Sequence, residues 1–227
     1  MKINNFAKVS AIVLALSTLA TVASAAAIST FDTDSENWSV VSFTNPNAGD
    51  FSVLSTNAPT FHATGGNPGG FISTVDPDNG DFMFSAPAKF LGNQSGAGSL
   101  SYDLNYPVGN LDYKPVDIML TDGATRLLWL SNPTPSLGPS FTHVAVGLAP
   151  SANWHIGSNS GATPTAGDFQ AVLSNLTGLF ISGEYTAGLI ETPGLDNVRL
   201  SVPEPASVIL AAVGLVALPA MARNRKR

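Results

Sequence analysis

Fifteen acidic side chains lie between Ala26 and Ser201, and only Lys89, Lys114, Arg126 and Arg199 oppose them, a net charge of −11 for that stretch. Carboxylates at this density suit hard cations or sugar hydroxyls. They repel phosphate, so nucleic acid is excluded as a partner. Asp196 is the most informative of them. It shares strand parity with Val198 and Leu200 and so points toward the core at the strand's entry. A buried carboxylate needs a partner. Asp32, Asp34 and Asn197 could join Asp196 around Ca²⁺, provided the first and last strands are neighbours. The alternative is that Asp196 accepts backbone N–H groups or pairs with Arg199. Structural Ca²⁺ is the one candidate ion; no cofactor is required.

Other arrangements fail on their spacing. Asp76-Pro-Asp78-Asn-Gly80-Asp81 starts like a calcium loop, but Gly80 takes its fifth position and Pro87 stands where the bidentate Glu belongs. It reads as a turn. The three histidines, His62, His143 and His155, form no zinc motif, and His143 reads as a partly buried strand residue. There is no cysteine, hence no disulfide and no thiolate. A glycosidase needs two facing carboxylates. Asp50, Asp76, Asp78, Asp81 and Asp122 instead sit beside Gly, Asn or Pro in turns. The chain is expected not to be an enzyme. Trp38, Trp154, Phe82 and Tyr185 are candidate sugar-stacking surfaces, with Trp38 and Trp154 better placed in a core.

The elements that position these residues are mostly strands. Charged residues make up 11% of the chain, too few for long exposed helices. Short apolar or alternating runs predict strands at Trp38–Phe43, Gly70–Val75, Phe82–Ala86, Ser99–Leu104, Val116–Leu120, Arg126–Leu130, Phe141–Leu148, Leu179–Tyr185 and Leu195–Leu200. Asp76–Gly80 is expected to close a hairpin, and Gly65–Gly70 a sharp turn into a strand. One helix is predicted, capped by Thr165 with Asp168 three residues on, carrying Phe169, Val172, Leu173 and Leu176 inward and ending near Gly178. Many short strands with frequent turns predict an all-β sandwich with one short helix.

Both ends read as targeting segments. Residues 1–25 have a positive start at Lys2 and Lys8, an apolar run from Ala11 to Val22, and Ala23-Ser24-Ala25 for a signal peptidase. Cleavage after Ala25 leaves 26–201 as the folded domain. Residues 202–227 begin with Val202-Pro203-Glu204-Pro205, continue as the apolar Ala206–Met221 and end with Arg223, Arg225, Lys226 and Arg227. At 1.5 Å per residue that apolar run spans about 24 Å, against a bilayer core of about 30 Å. It suits a transient transmembrane anchor with its basic end inside.

The order of Pro203-Glu204-Pro205, span and basic end resembles the PEP-CTERM sorting domain of Gram-negative bacteria. The resemblance implies an exosortase that removes the tail, and an association with exopolysaccharide and biofilm. A second resemblance covers the middle. Phe31-Asp-Thr-Asp34 leading to Trp38, Gly65–Gly70, Phe82 through Gly92, Val116–Leu120, Asp168–Leu173 and Leu195–Leu200 fall in the order of a laminin B (laminin IV) domain. That implies a jelly-roll sandwich similar to carbohydrate-binding modules, serving as an extracellular module without catalysis. The reading is an exported, non-catalytic surface or matrix protein. It crosses the inner membrane transiently and ends at the outer surface or in an exopolysaccharide layer. A carbohydrate-binding module is the alternative, and a secreted glycan-active enzyme the third reading.

Overall fold

The computed structural model describes residues 27–78, 80–107, 113, 116–131, 136–186 and 188–202. The processing residues Ala25, Pro203, Glu204, Pro205, Arg223 and Arg225 lie outside them, as do both apolar ends. Among the described residues no helix is long and apolar enough to cross a membrane.

Among the described residues thirteen strands form two antiparallel sheets. In chain order they are β1 Ala27–Ser29, β2 Ser39–Asn45, β3 Asp50–Asn57, β4 Thr60–Gly66, β5 Gly69–Ser73, β6 Asp81–Ser85 and β7 Ser99–Asn105, followed by β8 Ile118–Thr121, β9 Arg126–Trp129, β10 Thr142–Gly147, β11 Trp154–Ile156, β12 Gly178–Ser182 and β13 Gly194–Ser201. One sheet runs β10-β7-β13-β5-β4, with β1 also paired to β13; the other runs β11-β9-β8-β12-β6-β2-β3. The fold is a jelly-roll β-sandwich. First and last strands are neighbours, with Ala27 opposite Leu200 and Ser29 opposite Val198.

Strand alternation builds the core between the sheets. Leu100, Tyr102 and Leu104 of β7 face Phe82 and Phe84 of β6 and Ile118 and Leu120 of β8, all buried in one cluster. The opposite faces of β6 and β8 place Met83 and Met119 in a second, smaller cluster with Phe43 and Leu128. Val116 also belongs there, not on the face of Ile118 and Leu120, because it precedes β8. Trp38 and Trp154 are buried as expected; Trp38 Nε1 donates to Ser29 Oγ at 2.8 Å.

The helix, α1, runs Ala166–Ser174 and presses Phe169, Val172 and Leu173 into the main core. Thr165 and Asp168 form the reciprocal capping box that starts it.

Three local expectations are corrected. Asp76–Gly80 closes no hairpin: β5 pairs with β4 and β13, whereas β6 pairs with β2 and β12, so the segment crosses between sheets. The strand expected through Tyr185 stops at Ser182, and the chain then turns inward. Residues 50–66, expected to hold no strand, form β3 and β4.

Candidate functional site

Two polar constellations stand out. The first grows from an irregularity in β13. Its register against β7 shifts between Asp196 and Arg199, and Asn197 takes φ +50 there. The bulge leaves Asp196 fully buried under the Gly66–Gly69 turn. Its Oδ2 accepts the Asn67 N–H at 2.6 Å and its Oδ1 accepts the Asn197 N–H at 2.7 Å. Burial pushes its carboxyl above the usual range against these two bonds, with Asp103 and Asp32 adding like charge. Asp103 stands opposite Asp196 on β7. It accepts from Asn67 Nδ2 at 3.1 Å and Asn197 Nδ2 at 2.9 Å, and its Oδ1 lies 2.6 Å from His143 Nδ1.

The proposed calcium residues therefore part company. Asp32 approaches the same turn, its Oδ1 lying 2.9 Å from where a Cβ on Gly69 would stand, and its Oδ2 accepts from Thr30 Oγ1 at 2.7 Å. Asp34 instead accepts the Glu36 N–H at 2.6 Å, in an exposed local turn. Among the described residues no three carboxylates or imidazoles stand close enough to share one metal ion. Asp196 meets its need for partners through backbone N–H groups, and not through Arg199, which is exposed.

Beside this cluster, on the outer face of the sheet, lies a small aromatic shelf. His62 stacks on Phe71 at 4.4 Å and 10°, and Phe141 meets Phe71 edge-on at 5.5 Å. The four stacking candidates read from the sequence are unavailable, since Trp38, Trp154, Phe82 and Tyr185 are all buried. His143, expected to be partly buried, has a side chain 63% exposed. Nothing in the local pattern marked Phe71 or Asp103. Asp103 meets His143 and Asp196 because β7 lies between β10 and β13, and Phe71 meets His62 because β4 pairs with β5.

The second constellation is a cavity of about 270 Å³ where the Asp76–Asp81 crossover meets the chain after β12. Asp76, Asp78, Asp81, Tyr113 and Glu184 line it, with Leu189 and Ile190 at its mouth. Asp78 is held by the fold. Burial pushes it up, but hydrogen bonds from Ser42 Oγ, Ser55 Oγ and the Gly80 N–H outweigh burial and keep it below the usual range. Asp81 takes the Tyr113 hydroxyl on its two oxygens at 2.9 and 2.7 Å, yet burial still raises it. Burial also raises Asp76.

Glu184 is the exceptional member. It is buried, its Oε2 has no hydrogen-bond partner, and burial with the charges of Asp76, Asp81 and Asp78 pushes its carboxyl up to about 8. Glu191 lies close by, fully buried. The Tyr106 hydroxyl donates to its Oε1, its Oε2 is unpartnered, and burial raises it to about 7. Sequence reasoning took Asp76–Asp81 as a turn and passed over both glutamates. The one signal was a lone acid closing the apolar run of β12.

Comparison with known proteins decides the family. A model of the laminin B (domain IV) family matches residues 83–213, more than half of the chain. The chain belongs to the laminin B family. A PEP-CTERM protein-sorting motif matches residues 201–226 and begins at the last residue of β13. Among solved structures, the L4b domain of human laminin alpha-2 is similar at TM-score 0.59 and 14% identity, over 79% of this chain and 98% of that one. The solution structure of the CtCBM11 module is similar at 0.46 and 14%, over 82% and 99%. A family 11 carbohydrate-binding module from Clostridium thermocellum, in complex with a β-1,3-1,4-mixed-linked tetrasaccharide, is similar at 0.40 and 12%, over 63% and 81%. A search of curated proteins gives no match. This laminin B chain thus carries a β-sandwich whose last strand runs into a sorting motif.

Proposed function

We propose that this chain is an exported, non-catalytic surface module of a Gram-negative bacterium, released from the inner membrane by an exosortase-type peptidase into an exopolysaccharide layer. The observation that carries this reading is the junction at Ser201. The last residue of β13 is the first of the PEP-CTERM motif, so the sandwich closes where the sorting tail starts. Pro203 and Pro205 fix φ and prevent helix continuation, which favours the extended backbone a peptidase binds. Glu204 opposes drawing the motif into lipid. Replacing Pro203, Glu204 and Pro205 together with alanine in the native host should trap full-length protein in the inner-membrane fraction. Arrival of that variant at the surface with its tail removed would refute the sorting role.

A second reading, a carbohydrate-binding module, is favoured by the shelf of His62, Phe71 and Phe141. Partly exposed rings beside carboxylates and amides are what a sugar needs, a flat apolar face and hydrogen-bonding groups within reach. A glycan array with wild type and Phe71→Ala tests it. Binding that Phe71→Ala abolishes supports the reading; no glycan bound, or binding indifferent to Phe71, rejects it.

A further inference from the structure

Glu184 occupies a position that folding alone does not explain. A buried carboxylate oxygen without a donor costs free energy, and most native structures avoid one. The Glu184 side chain, whose Oε2 is such an atom, also lines a cavity together with Asp76, Asp78 and Asp81, and no Lys or Arg lines that cavity among the described residues. Such an excess of uncompensated negative potential calls for a cation.

We infer that the cavity formed by Asp76, Asp78, Asp81, Tyr113 and Glu184 receives an organic cation, a primary ammonium carried on an alkyl arm. Three observations favour this over a metal ion. The carboxylates of Asp78 and Asp81 already accept hydrogen bonds from Ser42, Ser55, Gly80 and Tyr113, so they act by charge and not as free ligands. Among the described residues no three carboxylates or imidazoles converge on one metal position. The cavity, about 270 Å³, lies near the lower end of small-molecule sites, roughly 300–1,000 Å³. An ammonium has three donors and needs no fixed coordination shell. The Glu184 carboxylate supplies the acceptor. Leu189 and Ile190, 49% and 75% exposed, offer the apolar rim along which an alkyl arm lies.

The proton balance follows from the charges that face Glu184. Asp76, Asp78 and Asp81 surround it from the crossover, Tyr113 from the preceding loop, and Glu191 stands close behind. Burial, joined by the charges of Asp76, Asp81 and Asp78, keeps Glu184 largely protonated at neutral pH. Docking of R–NH₃⁺ favours the carboxylate, so Glu184 releases its proton to solvent and the ammonium keeps its own. Affinity therefore rises with pH, by about tenfold per unit well below the Glu184 value and less as that value is approached.

The test is calorimetric titration of the mature protein with 1,5-diaminopentane and with N-acetyl-lysine amide, at fixed ionic strength. Wild type should bind diaminopentane more than tenfold more tightly at pH 8 than at pH 6, and release close to one proton per site at pH 6 and about half a proton at pH 8. Glu184→Gln should weaken binding at pH 8 at least tenfold and remove the proton release, with an unchanged melting profile showing that it folds. Ile190→Ser, at an exposed position, should weaken diaminopentane several-fold while leaving methylammonium unaffected. Binding of N-acetyl-lysine amide as well points to a lysine side chain of a protein partner as the source. Binding of diaminopentane alone points to a free amine; either supports the proposal. Lys114→Ala should leave affinity within about twofold. A large gain in that variant would mean that the chain's own lysine fills the cavity, and would overturn the proposal. So would no amine binding, or Ca²⁺ binding that Glu184→Gln abolishes while amines are ignored.

Discussion

Asp196, near the start of the last strand, accepts the backbone N–H of Asn67 at 2.6 Å across a separation of 129 residues. That bond ties the β4–β5 turn to the strand on which the sorting motif follows. The turn fits against the carboxylate with no room to spare. A Cβ on Gly66 would lie 2.2 Å from the Gly70 carbonyl oxygen and 2.6 Å from Asp196 Oδ2. Asp196→Ala strands the Asn67 N–H and should cost about 1–3 kcal/mol, a Tm drop of roughly 3–10 °C. Gly66→Ala should cost at least as much, because the clash is with backbone. Thermal unfolding followed by circular dichroism checks both.

Calcium provides a sharper reading of the same cluster. Because Asp196 is satisfied by Asn67 and Asn197, and Asp34 accepts the Glu36 N–H in its own turn, Tm should be the same in millimolar Ca²⁺ and in chelator at fixed ionic strength. A rise of several degrees with Ca²⁺ would show Asp32 and Asp196 closing on the ion, since binding only the native state stabilises it.

Stability should fall as pH rises from about 4.5 to 8. Glu184 and Glu191 hold protons in the folded chain up to about pH 8 and 7, protons that the unfolded chain has released near 4.5. In that window the native state binds more protons than the unfolded one, so each step up in pH costs stability. Carboxylates held low, such as Glu36 beside Lys89, act below the window and oppose the trend only in acid. Tm at pH 5.5 should exceed Tm at pH 8.5 by roughly 3–6 °C, and the double variant Glu184→Gln, Glu191→Gln should flatten the difference.

The helix tests the core. Phe169 meets Trp154 edge-on at 5.1 Å, and Trp129 meets Trp154 on another side at 5.4 Å. Trp154→Ala should cost about 3–5 kcal/mol. Thr165→Ala breaks only the capping box and should cost about 1 kcal/mol. Urea denaturation separates the two.

What was legible in the sequence follows a physical line. Most strands that bury a face, β2, β6, β7, β8, β12 and β13 among them, show the apolar pattern that burial imposes. The helix was visible because Thr165 and Asp168 cap it and Phe169, Val172 and Leu173 recur at helical spacing. The unread strands β1, β3, β4 and β11 each pair with a single neighbour. In β3 no residue is buried, and Val53 and Leu54 are exposed, so no alternation marks it. Asp76–Gly80 has turn chemistry whether its strands pair or change sheets; pairing is decided by distant β2 and β13. For the same reason Asp196 could be read as buried, while its partner Asn67 could not be named. Glu184 gains its meaning only when the crossover brings three aspartates against it.

Export with loss of both ends is read out by intact-mass analysis of protein extracted from the cell surface. One species is expected, starting at or near Ala26 and ending near Pro203–Pro205. A surface species that retains Met1 or the Arg223–Arg227 end, or full-length protein found only in the inner membrane, would contradict it.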